Sequence, residues 1–118
     1  GKLVKVGEAA GYVLPLTGEG IRPSIVSGYV AAKAIVEGKD PLEALGRSWV
    51  SRAVRIQRRL LEWAKRLSVE ERRSLLGSLG PLEHAEIALG TLRLPRLASR
   101  LVFKPRIALK LIPRILLG

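Results

Sequence analysis

Cysteine is absent from the 118 residues, and so is methionine. The first absence excludes disulfides, thiolate metal sites and cysteine nucleophiles. The second extends to position 1, where Gly1 stands, so the sequence reads as a processed product or, the reading adopted, a fragment. A lone histidine, His84, removes any His-pair metal site. Aromatics number only five (Trp 2, Tyr 2, Phe 1), a poor supply for stacking on single-stranded nucleic acid. Acidic residues are scarce: Asp+Glu 10 against Lys+Arg 21 leaves a formal charge of +11. Long apolar runs are missing too. The longest charge-free stretches are ten residues, Ala9–Gly18 and Pro23–Ala32, whereas a membrane-spanning helix needs about 18 or more apolar residues. The first residues do not read as a secretory signal. What is plentiful is hydrophobic side chain, 47% of the total, enough for the core of one domain or of a piece of one. The expectation is a cytoplasmic protein that does not cross a bilayer but can lie on one as a peripheral protein.

Along the chain, Lys2-Leu3-Val4-Lys5-Val6 alternates and is β-branched twice, which predicts a short strand. Gly7 to Gly20 holds four glycines and one proline and predicts a loop. Ile21 to Glu37 predicts a helix with Ile21, Ile25, Gly28, Ala32 and Ile35 on one face. Its Ser27, Gly28, Ala31 and Ala32 form a small-residue surface that lets another backbone or a flat ligand approach. Asp40-Pro41 with Glu43 predicts a capped start and a capping box. Apolar or small residues at 42, 45, 49, 53, 56, 60, 63 and 67 then predict one long amphipathic helix. Its opposite face carries Arg47, Arg52, Arg55, Arg58, Arg59, Lys65 and Arg66. Ser68 with Glu71 marks a second capping box and a short helix to about Leu76. Gly77 to Pro81 is a break, and Leu82 to about Leu92 a weaker helix. The fold class is mainly α, divided by composition into 1–38, 39–92 and 93–118.

The informative stretch is Val6-Gly7-Glu8-Ala9-Ala10-Gly11, then Pro15-Leu16-Thr17-Gly18-Glu19-Gly20-Ile21, then Ser27-Gly28 and Ala31-Ala32. A glycine-rich loop entering a helix presents backbone N–H groups and a positive dipole end to an anion or a polarised carbonyl. It is neither a dinucleotide fingerprint, lacking the third glycine, nor a P-loop, lacking Gly-Lys-Ser/Thr. The composite resembles the second flavin-binding motif of the geranylgeranyl reductase family of FAD-dependent oxidoreductases, in the wider p-hydroxybenzoate-hydroxylase-like group. That family reads Gly-Asp-Ala-Ala-Gly, then Pro-Leu-Thr-Gly-Glu-Gly-Ile, then a helix with Ser-Gly and Ala-Ala. The match covers about residues 3 to 37 closely.

The resemblance implies FAD as cofactor and a much longer parent with an N-terminal ADP-binding half. The chain would then be the C-terminal end of an α+β flavoprotein: its last strand and ligand helix, followed by a helical region. It also implies reduction of isoprenoid C=C bonds, in prenylated lipid substrates, by hydride from reduced flavin. Under it, Gly7, Glu8, Ala9 and Gly11 bind the cofactor, with the acid, Glu8, holding the ribityl chain. Pro15, Thr17, Gly18 and Gly20 line the isoalloxazine ring, and the amides of Gly20 and Ile21 face its N1–C2=O edge. Two departures stand out. Glu8 occupies the place where the family usually has Asp, and Arg22 precedes Pro23, which shifts the expected first helical turn to Pro23.

The remaining residues have plainer readings. Glu19 is expected to complement the helix dipole and Thr17 to stabilise the turn. The Arg-rich face is expected to be solvated, with Glu43–Arg47 and Glu62–Arg66 as ordinary i,i+4 pairs. Trp49 and Trp63 are assigned to the core and His84 to the surface. From Ile87 to Gly118 there are seven basic residues and no acidic one, and Pro95, Pro105 and Pro113 divide the segment. Arg93, Arg96, Arg100 and Lys104 form a stripe beside Leu94, Leu97 and Leu101. Arg106, Lys110 and Arg114 form a narrower stripe among Ile107, Leu109, Leu111, Ile112, Ile115 and Leu116. Such a tail suits an anionic membrane surface, packing within the protein, or nucleic acid. The alternative to the flavoenzyme is therefore a non-catalytic basic helical module that binds an anionic membrane surface or nucleic acid.

Overall fold

The computed structural model describes the backbone of residues 3–115 and the side chains of residues 3–110. Among them are seven α-helices and one 3₁₀ turn, with no strand. The predicted strand at Lys2–Val6 does not form over its described part. Val6 has extended backbone (φ −136°, ψ 171°), but an extended segment becomes a strand only when a neighbour completes its ladder. The one β-bridge among the described residues joins Leu14 to Glu19.

The chain divides after Arg58 into two compact units. The first begins with a 3₁₀ turn, Gly7–Ala10, inside the predicted loop, and continues with α1 (Ile21–Val36) and α2 (Pro41–Arg47). The α1 helix starts two residues before Pro23. Proline costs little there, because first-turn amides have no intrahelical acceptor anyway. The disfavoured helical Arg22 is held by Glu19, whose Oε1 accepts from the Arg22 amide at 2.8 Å and whose Oε2 pairs with the guanidinium at 3.1 Å. At the other end Gly38, at φ 68°, turns the chain, and Asp40 caps α2 through the amides of Leu42 and Glu43. The Glu43 carboxylate pairs with Arg47 at 2.7 Å.

The single long helix predicted from Asp40 to Leu67 is two helices, α2 and α3 (Trp49–Ala64). Ser48 separates them with extended backbone (φ −65°, ψ 155°). Its hydroxyl bonds the Leu45 carbonyl at 2.6 Å and accepts from the Ser51 amide at 3.3 Å, so a capping serine interrupts the apolar stripe without disturbing its period. Leu14, fully buried, packs with Val50, Ala53 and Val54, flanked by Tyr12, Val26 and Trp49. The Arg22 guanidinium lies 5.9 Å from the centre of the Trp49 ring.

The second unit takes the end of α3, then α4 (Val69–Ser78), α5 (Pro81–Leu89), α6 (Leu94–Leu101) and α7 (Pro105–Ile115). The Ser68–Glu71 capping box forms as predicted. Arg72 closes the end of α3 by donating to the carbonyls of Ala64, Lys65 and Leu67. Glu62 pairs with Lys65 at 2.8 Å. Gly90, at φ 71°, ends α5 before Leu92. Pro113 does not divide the tail, because α7 runs through it; in a last turn a proline forfeits one backbone bond. Trp63, Leu67, Leu75, Leu79, Leu97, Leu101 and Ile107 are buried. Among the described residues, three of the tail's seven cations are paired within the unit, Arg96 with Glu86, Arg100 with Glu83 and Lys110 with Glu71, while Lys104 donates to Ser74 Oγ.

Candidate functional site

The glycine-rich segment is held from two directions. Gly7, buried at φ 62°, donates its amide to Ser27 Oγ at 2.8 Å. A side chain there would place Cβ 2.9 Å from Ser24 Oγ. The small-residue surface of α1 thus receives its own chain's backbone at Ser24 and Ser27, while Ala32 stays exposed and Gly28 partly so. The 3₁₀ turn closes with the Gly11 amide on the Glu8 carbonyl, and the Tyr12 amide returns to Gly7. Glu8, Ala9 and Gly11 are exposed on this turn.

From Leu14 the chain makes a tight hairpin and returns at Glu19. The amides of Thr17 and Gly18 donate to the Leu14 carbonyl, with Gly18 at φ 71°. Thr17 Oγ1 accepts from the Glu19 amide at 3.4 Å, the turn-stabilising role expected of it. Thr17 and Gly18 form an exposed tip, and Pro15 is half-buried. Gln57, 1% exposed on α3, anchors the hairpin by accepting from the Leu16 amide at 3.1 Å. Ser51 Oγ donates to Tyr12 Oη at 3.3 Å and fixes the neighbouring strand of chain.

Both loops therefore meet the N-terminal half of α1. The Arg22 amide is taken by Glu19 and Pro23 has none, which leaves the amides of Gly20 and Ile21 at the open end of a 16-residue helix. Ile21 and Ile25 beside them are 76% and 66% exposed. The face predicted to be the apolar side of α1 turns outward, and the inward face is Pro23, Ser27, Ala31 and Ala34. Glu8 and Glu19 differ in their commitments: Glu19 is an end cap tied to Arg22, while the exposed Glu8 supplies only its carbonyl to the turn. Trp63 is buried, Trp49 half-buried and His84 exposed, with Nδ1 2.8 Å from the Gly80 carbonyl. The residues that position the site but escaped the sequence reading are Gln57 and Ser51. Gln57 was detectable as an uncharged polar residue in step with the apolar positions 53 and 60.

No family model, curated protein or solved structure matches the chain.

Proposed function

We propose that this chain is the flavin-facing end of an FAD-dependent oxidoreductase of the geranylgeranyl reductase kind, acting on isoprenoid C=C bonds. Gly20 carries the reading. Its backbone (φ −124°, ψ −15°) is open to any residue, and an added Cβ would meet only Val13 Cγ2 at 3.5 Å. The fold itself therefore makes no demand for glycine at this position. A flat group brought against the amides of Gly20 and Ile21 does make that demand. Those amides, aimed out of a helix N-terminus, suit an edge that becomes negative on reduction. The exposed Glu8 carboxylate is available to a ribityl hydroxyl, and the exposed Ile21 and Ile25 offer an apolar wall that keeps water from the ring. Bound FAD would supply the hydride that is added to the double bond.

The test is the visible spectrum of the protein isolated at its natural length from its host. We expect bound flavin, and we expect Gly20→Val to lose it or its reduction while far-ultraviolet circular dichroism keeps the helical signal. A natural-length protein that neither carries nor takes up flavin defeats the reading. So does a Gly20→Val variant with normal flavin content and reduction. The 118-residue chain alone offers one loop–helix end, and we expect it to release added FAD on desalting.

A further inference from the structure

The second unit carries a surface that the flavin reading does not use. The tail is not a free amphipathic helix. The inner faces of α6 and α7 are occupied at Leu97, Leu101 and Ile107, so these three residues cannot enter a bilayer without unfolding the unit. Among the described residues, the apolar side chains of this segment left outside are Leu94 and Leu109 on the helices and, most exposed, those of the turn between them. Val102 is 74% exposed and Phe103, the chain's only phenylalanine, 86% exposed. Leu82, also exposed, lines the same open cavity of about 520 Å³ as Phe103, together with Pro81, Arg96, Ser99 and Arg100. The turn leads directly into Lys104 and Arg106.

The charge around this apolar tip is mixed but predominantly positive: Glu83 lines the cavity of Phe103, and Glu70 and Glu71 line a second one with Lys104 and Arg106. After Arg58 the chain has twelve Lys and Arg against five Glu. Three of those five, Glu71, Glu83 and Glu86, are committed to Lys110, Arg100 and Arg96. The hydrogen-bond partner of Lys104 is a neutral hydroxyl. Arg106 is exposed.

We propose that the α6–α7 turn is a membrane-contact site, with Phe103 and Val102 entering the acyl boundary of an anionic bilayer while Lys104 and Arg106 meet its headgroups. A protruding phenyl and valine beside an excess of cations match both halves of such an interface, the apolar boundary and the negative surface potential. Nucleic acid would satisfy the cations alone, since one exposed phenyl is no stacking platform. This proposal is independent of flavin binding.

The experiment is co-sedimentation of the chain with vesicles of phosphatidylcholine alone and of equal parts phosphatidylcholine and phosphatidylserine, at low and high salt. We expect binding to the anionic vesicles only, weakened by salt but leaving a salt-resistant remainder. Phe103→Ser, at an exposed position, should keep the circular dichroism spectrum and weaken binding roughly ten- to hundredfold, abolishing the remainder. Phe103→Leu should restore most of it. Arg106→Glu should lower the salt-sensitive part instead. Absence of binding to anionic vesicles at low salt overturns the proposal. So does a Phe103→Ser variant that binds like the parent, or tighter binding to duplex nucleic acid with complete loss in salt.

Discussion

Gly7 and Gly20 belong to one motif but answer to different forces. Gly7 needs its left-handed backbone and its missing side chain to press against Ser24 and Ser27. Gly7→Ala should destabilise the protein by about 2 kcal/mol, from the left-handed backbone and the contact with Ser24. Gly20→Ala should stay within about 0.5 kcal/mol, as for a substitution away from any strained or crowded feature. Urea denaturation of the two variants separates them. Gln57 is the third residue of consequence. Gln57→Leu deprives the Leu16 amide of its acceptor and should cost about 1–3 kcal/mol on the same measurement. The motif glycines were legible because glycine is conspicuous in a sequence. Gln57 stood out only as a polar residue in step with the apolar positions 53 and 60, and its role was not legible because its partner lies 41 positions away.

Among elements, capping decided more than periodicity did. The steps of three and four from 42 to 67 are real, and most of those positions are buried or half-buried, yet Ser48 cuts the run into α2 and α3. A hydroxyl that bonds its own backbone competes with helix continuation, and apolar spacing carries no record of that competition. Ser48→Ala should lower stability by about 1 kcal/mol, as for loss of a cap, with helix content by circular dichroism unchanged. Ser68 and Asp40 were readable because the residues that follow them announce a helix start. The predicted strand failed for the opposite reason: its side chains alternate correctly, but a ladder depends on a second segment that no local pattern contains.

For the second unit as a whole, carboxylates near cations set the response to acid. Glu83, 3% exposed, is held below the usual 4.5 by its own backbone N–H, against the opposing effect of burial, and further by Arg100 and the Gly80 amide. Glu71 is held below the same value by its hydrogen bond to Lys110 and by the Ser68 amide. A carboxyl whose folded value is depressed contributes stability that is present above its unfolded value. That contribution is lost as the pH falls through the folded one. The urea midpoint should therefore be flat near neutrality and fall below pH 4.5. Glu83→Gln should make that fall shallower. A midpoint that falls with the parent's slope in this variant would assign the acid response elsewhere.

By itself the sequence determined what rests on local chemistry. That includes the mainly α fold, the extent of α1, the caps at Asp40 and Ser68, the solvated arginine face and the lack, among the described residues, of a helix long and apolar enough to span a membrane. Tertiary structure alone decided which face of α1 turns inward. Periodicity shows that Ile21, Ile25 and Ile35 share a side, but burial depends on what the loop brings against the helix, and Gly7 brings it against Ser24 and Ser27. It also decided the fate of the tail's charges. Arg96, Arg100 and Lys110 look unaccompanied in a segment without acids. They find Glu86, Glu83 and Glu71 across 10, 17 and 39 positions because packing of α4 to α7 makes those residues neighbours.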